Sequence, residues 1–346
     1  MDEEDESPTV EPLEIVLAPP DYSDVEGTAG RDMASLRAVF VPADGLTASL
    51  FQAHAARLES AELAAMVIEV KPAKGVLPYT SGVELTTSFG TNGTFDLRSA
   101  VSLLKSQDVY LVAMMSVCAD ELMALRNPPI ALRNLSAQPY GEDDTYWLDP
   151  YNRGVNDYIL KIMTELAAMG FDEILLSGLR HPSTSDVMYS QAISTERNSV
   201  TAISNLAIRL TDAMSELDVA ALRRAVDGVA PSEDGLPADA DIPSGENDAQ
   251  GSEASQPADN SEAAAARVRV SVLLNGSIFR AGAENAVTGE NPDLFYKIFD
   301  RVYIYTSAEH YNSDVEIAGD VFGAEAATRF VPFVNNALER GSFVLR

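Results

Sequence analysis

Three carboxylates stand at or just beyond the ends of ordered-looking runs. They are Glu69 in Met-Val-Ile-Glu-Val-Lys, Asp149 in Trp-Leu-Asp-Pro-Tyr-Asn-Arg and Glu309 in Tyr-Thr-Ser-Ala-Glu-His-Tyr. Paired carboxyl groups perform acid–base or nucleophilic work on a single bond, provided burial or a neighbouring anion keeps one of them protonated. A charge inside a run as apolar as that around Glu69 needs a partner or an open cavity, because unpaired burial is costly. Strand alternation puts Val67, Glu69 and Lys71 on one face, which predicts a Glu69–Lys71 ion pair or two ligand-facing groups. Asp149, directly before Pro150, is a candidate either for chemistry or for capping the helix that begins near Arg153.

Other functional side chains gather between Tyr146 and Pro182. Trp147 and Tyr151 offer flat apolar faces beside Asp149, and either is equally suited to a core. The run Gly-Phe-Asp-Glu-Ile-Leu-Leu-Ser-Gly-Leu-Arg-His-Pro ends a strand on Ser177, with Arg180 and His181 just beyond. A Ser177-His181-Asp186 grouping can be written down, but no Gly-x-Ser-x-Gly elbow surrounds the serine. Tyr305 and His310 follow another strand on the same side as Glu309. Cys118 is the only cysteine, which excludes an intramolecular disulfide and a multi-cysteine zinc site, and it reads as a buried thiol. With histidines only at 54, 181 and 310, no metal centre or cofactor is called for.

Eight short apolar runs must position these groups. The sequence predicts strands at Leu36–Val41, Ala65–Lys71, Val109–Met115, Phe171–Ser177, Val268–Leu274, Val302–Tyr305, Arg329–Phe333 and Ser342–Leu345. It predicts helices at Ala48–Ala61, Phe95–Ser106 and Arg153–Met169, and a long helical stretch at Thr195–Asp227. Near-continuous apolar strands alternating with helices indicate a parallel sheet covered on both faces. The fold class is α/β, and the expected architecture is a (β/α)8 TIM-like barrel, whose ligands are handled at the C-terminal strand ends. No Gly-x-Gly-x-x-Gly or Gly-Lys-Ser/Thr loop supports a doubly wound nucleotide-binding sheet.

The net charge of −29 is concentrated in two tracts. Residues 1–27 hold ten acidic and no basic residues, and 231–263 hold nine acidic and no basic ones. Removing those nineteen charges from −29 leaves −10 on the remainder. Residues 1–30 therefore read as a disordered acidic leader, 31–346 as the barrel, and 231–263 as a disordered acidic insertion between strands four and five. Acidity argues against nucleic acid and anionic lipid as partners, and no apolar run reaches the ~20 residues of a membrane span.

The segment Tyr146–Pro182 resembles a family of bacterial glycoside-hydrolase-like barrels. In that family the strand closes on an aspartate followed by aromatic-Val-Arg-Phe-Pro, whereas Ser177 stands at the aspartate position here. Arg180 matches the family's arginine, His310 and Tyr311 match a Ser-His-Tyr ending, and Glu309 departs from it. The resemblance implies a polysaccharide- or oligosaccharide-handling barrel of the cell envelope, extracytoplasmic or cell-surface, with a leader or anchor outside this sequence; a cytoplasmic protein is the alternative. It implies a site in which Lys71, Trp147, Tyr151, Ser177, Arg180, Tyr305 and His310 bind sugar, Arg180 holding a carboxylate or a hydroxyl or else anchoring its loop. The missing aspartate points to binding with weak or absent hydrolysis, a pseudoenzyme. The alternatives are an active glycosidase using Glu69, Asp149 or Glu309, and a scaffold whose acidic tracts recruit basic partners.

Overall fold

Seven of the eight apolar runs become parallel strands lying side by side in chain order. The computed structural model describes residues 37–60, 64–142, 144–189, 198–227, 267–278, 285–307, 310, 313–314, 316–317, 320, 330–335 and 342–344. The strands are β1 (Arg37–Val41), β2 (Ala65–Lys71), β3 (Tyr110–Ser116), β4 (Glu173–Ser177), β5 (Arg269–Asn275), β6 (Arg301–Ser307), β7 (Phe330–Asn335) and β8 (Ser342–Val344). The predicted leader and the acidic segment 231–263 lie outside the described residues.

The hydrogen-bonded order runs β7-β6-β5-β4-β3-β2-β1-β8. The eighth strand departs from the expected barrel because it pairs antiparallel with β1, Arg37 opposite Val344. Six residues separate β7 from β8, whereas a parallel crossover needs a dozen or more, so the chain must reverse direction there. The sheet curls until β7 and β8 approach one another. No ladder between them closes it among the described residues, so the observed architecture is a curled α/β sheet rather than a demonstrated closed barrel.

Alternation along each strand sorts side chains onto two buried faces. One face carries Ala38, Val67, Val112, Met114, Leu175, Tyr303 and Phe333 on the inside of the curl. The other carries Val39, Ile68, Met115, Leu176, Val272 and Ile304 beneath the helices. Those helices include α1 (Ala48–Ser60), α2 (Leu97–Ser106), α3 (Arg153–Met169), α4 (Ser199–Ser215) and α5 (Val219–Asp227). The single stretch expected at Thr195–Asp227 is broken after Ser215, because the Asp218 carboxylate accepts from Ala221 N at 2.8 Å and starts a second helix.

The N-terminal end of the curl is sealed by a polar cluster. Glu173, fully buried, pairs with Arg301 at 2.9 Å and accepts from the Tyr110 hydroxyl at 2.7 Å. Asp172 pairs with Lys105 at 2.7 Å on the outside. Both acids therefore serve the bottom of the fold, as their position at the start of β4 implies.

Candidate functional site

At the opposite end, the C-terminal ends of β2, β3 and β4 surround a cleft of about 330 Å³. Its lining includes Glu69, Met114, Ser116, Thr145, Trp147, Ser177 and Arg180, so four of the predicted site residues are brought together. Glu69 projects from β2 and its Oε2 accepts from Ala43 N at 3.0 Å, in the loop that leaves β1. Burial raises the Glu69 pKa above the usual carboxylate value, the Ala43 bond opposes that shift, and the Asp44 charge reinforces it.

Lys71 does not join Glu69, which corrects the expected ion pair. The β2–β3 register slips between them, setting Glu69 opposite Met114 and Lys71 opposite Met115. Cross-strand partners share a face, so this bulge turns Lys71 away from the cleft and toward the helices. There its ammonium pairs with Asp120 at 2.8 Å and donates to Ser116 O at 2.7 Å. Asp120 also accepts from Tyr158 Oη at 3.2 Å and caps the helix Glu121–Arg126 through Met123 N at 2.9 Å. Lys71 is a bracing residue, not a ligand contact.

Ser177 ends β4 opposite Ser116 and lines the cleft. The chain then turns at Gly178, whose φ of +58° and tight approach to Ser116 favour glycine. That turn delivers Arg180. Trp147 reaches the cleft from the short ladder of Gly141–Glu142 with Thr145–Tyr146. It is 3% exposed, and the Arg180 guanidinium carbon sits over its ring at 4.9 Å from the centroid. The buried Trp147 Nε1 has no hydrogen-bond partner among the described residues.

The remaining candidates lie elsewhere. Asp149 is fully buried and outside the cleft lining, its Oδ1 accepting from Tyr151 N at 2.9 Å. The cap of α3 is Asn152, which accepts from Gly154 N at 2.8 Å, so the expected capping role does not fall to Asp149. Tyr151 is not a sugar-stacking face of this cleft: its hydroxyl donates to Asn198 O at 3.1 Å and its ring meets Tyr189 edge-on. Tyr305 lies on β6 against Phe333, with ring centroids 5.9 Å apart, and does not line the cleft. His310 is exposed and turns back on Ser307, 2.9 Å from Nδ1 to Oγ. Glu309 lies outside the described residues.

No Ser-His-Asp triad is assembled. The ring nitrogens of His181 lie 3.0 Å from Pro182 O and 3.4 Å from Tyr189 Oη, and burial lowers its pKa. Cys118 is buried and its thiol is pushed up to about 12, mainly by desolvation. Among the described residues no cluster of three His, Cys, Asp or Glu could hold a metal ion, and no helix is long and apolar enough to cross a membrane. Sequence reasoning missed Asp120, although an aspartate directly before Glu-Leu-Met is a legible helix cap. It also missed Ala43, Ser116 and Thr145, whose types give no signal of their own.

Residues 38–228 match the family model DUF4015, described as "Putative glycosyl hydrolase domain". The structure is similar to the PgaB (BpsB) glycoside hydrolase domain from Bordetella bronchiseptica, at 11% identity and TM-score 0.51, covering 87% of this chain and 84% of that one. A hypothetical protein from Ruminiclostridium thermocellum ATCC 27405 matches at 17% identity and TM-score 0.46, over 51% of this chain and 92% of that one. No curated protein matches. At such identities the Bordetella likeness is one of fold, and it agrees with the α/β architecture described above.

Proposed function

Because the chain belongs to this glycosyl hydrolase domain family, with which more than half of it aligns, we propose that the cleft binds polysaccharide or oligosaccharide with weak or absent hydrolysis. One observation carries the reading: among the described residues lining the cleft, Glu69 is the only carboxylate. Glycosidic cleavage ordinarily takes two, about 5–5.5 Å or 6.5–9.5 Å apart. Ser177 occupies the strand end where the resembling family has an aspartate, and its hydroxyl can hydrogen-bond a sugar, but a serine hydroxyl is a weak nucleophile unless a base activates it. Trp147 and Arg180 supply one wall, and Ser116 and Thr145 add hydroxyls. An extracytoplasmic setting, with an envelope or extracellular glycan as ligand, belongs to the same proposal.

A second reading rests on Glu69 itself. Its raised pKa suits a general acid, and the anion that helps raise it, Asp44, stands on the loop that holds its carboxylate.

The test is reducing-end release from a panel of bacterial and plant polysaccharides, run beside equilibrium binding, for wild type and Ser177→Asp. Saturable binding without release by wild type is expected, and release by Ser177→Asp would mark a cleft that lost one group and kept its shape. Release by wild type that disappears in Glu69→Gln would replace the first reading with the second. Absence of both binding and release would refute the carbohydrate reading of the cleft.

A further inference from the structure

Among the described residues, the cleft lining holds one cation, and it makes no ion pair. Arg180 is partly exposed and lines the cleft with Glu69, Ser116, Thr145 and Ser177. Three other cations around the sheet have carboxylate partners: Lys71 has Asp120, Lys105 has Asp172 and Arg301 has Glu173. Among the described residues none ion-pairs with Arg180. Its guanidinium is instead covered on one side by the Trp147 ring. A guanidinium over an indole face keeps N–H groups for hydrogen bonds, and its fork matches the two oxygens of a carboxylate.

Glu69 shares the cleft lining with Arg180, and Glu290 interacts with it electrostatically. Glu69 is engaged by Ala43 N, and its burial favours the neutral form. Glu290, buried on the loop after β5, is likewise shifted toward the neutral form by burial, against the opposing effects of Thr288 and Arg180. The position of Arg180 is not adjustable by a flexible loop alone. Gly178 fixes the turn before it, and Cys118 N donates to Gly178 O at 3.1 Å.

We propose that Arg180 is the specificity-determining residue of the cleft, and that it takes the carboxylate of an acidic sugar, a uronic acid unit of the bound glycan. This rests on the carbohydrate reading of the cleft and narrows it to a substrate class. A neutral sugar would leave the guanidinium desolvated against Trp147 with hydroxyls as its only partners, whereas a uronate completes a bidentate, charge-assisted pair.

The sequence contains a single tryptophan, and it is the residue under Arg180, so tryptophan emission excited at the red edge, where tyrosine does not absorb, reports on this site. The full chain is titrated with defined oligomers of galacturonate, glucuronate and mannuronate, each beside its carboxyl-reduced neutral counterpart. At least one uronate is expected to bind about tenfold or more tightly than its reduced form, the preference weakening as salt is raised. Arg180→Gln should abolish the preference, whatever its effect on the affinity for the reduced oligomer, while Arg180→Lys keeps part of it. Equal affinity for acidic and reduced forms of every oligomer that binds would overturn the inference and leave the carbohydrate reading standing. A preference that survives Arg180→Gln would also overturn it. No saturable change with any oligomer, acidic or neutral, would overturn both together.

Discussion

The buried pair of Lys71 and Asp120 offers the sharpest test of how this end of the sheet is built. Both side chains are 0% exposed and stand 2.8 Å apart. Lys71→Met removes the ammonium and leaves the Asp120 carboxylate, among the described residues, with hydrogen bonds from Tyr158 Oη and Met123 N. Asp120→Asn leaves a buried ammonium whose remaining hydrogen-bond partner described here is Ser116 O. Breaking a buried pair by removing one member costs about 3–5 kcal/mol, because the survivor stays charged and desolvated. The loss would be a large part of the roughly 5–15 kcal/mol that stabilises an ordinary domain. Asp120→Asn should be the worse of the two, since its stranded cation keeps fewer partners. The double variant Lys71→Met/Asp120→Asn strands no charge, so its cost should fall short of the sum by about 2–3 kcal/mol. Urea unfolding of the four proteins at neutral pH measures this. Single variants that each lose less than about 1 kcal/mol, or a double variant that is simply additive, would refute the bracing role. Glycan affinity supplies a separate check, since a folded Lys71→Met protein that loses binding more than about tenfold would return Lys71 to the ligand site.

Three further outcomes follow from individual groups. Glu69 holds its proton to higher pH in the folded state than in the unfolded chain, whose reference value is 4.5, so its contribution to stability is present below that value and lost as pH rises through the folded pKa. Glu69→Gln should therefore melt with wild type near pH 4 and above it at pH 7, and a reversed order at pH 7 would contradict the burial argument. Cys118, with its thiol pushed up to about 12, should react with an aromatic disulfide reagent at pH 8 only as fast as the protein unfolds, whereas prompt reaction of the native protein would show the thiol to be accessible. Gly178→Ala puts a Cβ about 2.7 Å from Ser116 Oγ at a φ of +58°, and should cost about 1–3 kcal/mol in urea unfolding. A neutral result there would mean that the turn relaxes without strain.

Much of the framework was legible because it depends on runs of apolar residues. Ala65–Lys71 and Arg153–Met169 fall on their predicted bounds, and each of the other predicted strands overlaps the observed one. The direction of β8 was legible too, in the short connector before it, but only to a reading that weighed connector length against crossover geometry. At the site, Glu69, Trp147, Ser177 and Arg180 were recoverable because strand ends concentrate function. Lys71 was misplaced because simple alternation has no means of announcing a bulge at Val70. Asp149 and Asn152 are equally good caps by residue type, and the choice between them rests on where the backbone turns after Pro150 rather than on either side chain. Tyr151 resembled a platform for sugar, but its hydroxyl is committed to Asn198 O from a segment nearly fifty positions on.

The antiparallel β8 also sets an order of events during assembly. Strand β1 is flanked by β2 on one side and by β8 on the other, so its second edge is covered only when residues 342–344 reach it. Joining positions 37 and 344 closes a loop of some three hundred residues, at an entropic cost of about 5 kcal/mol beyond a constant if the intervening chain were unstructured. Three paired positions cannot offset that alone, so β8 should dock after the parallel strands have shortened the loop. On a ribosome that moment comes only after residues 342–344 have been made, and until then β1 presents an open edge on which another nascent chain could pair. The last strand thus acts as a late-arriving cover for the first.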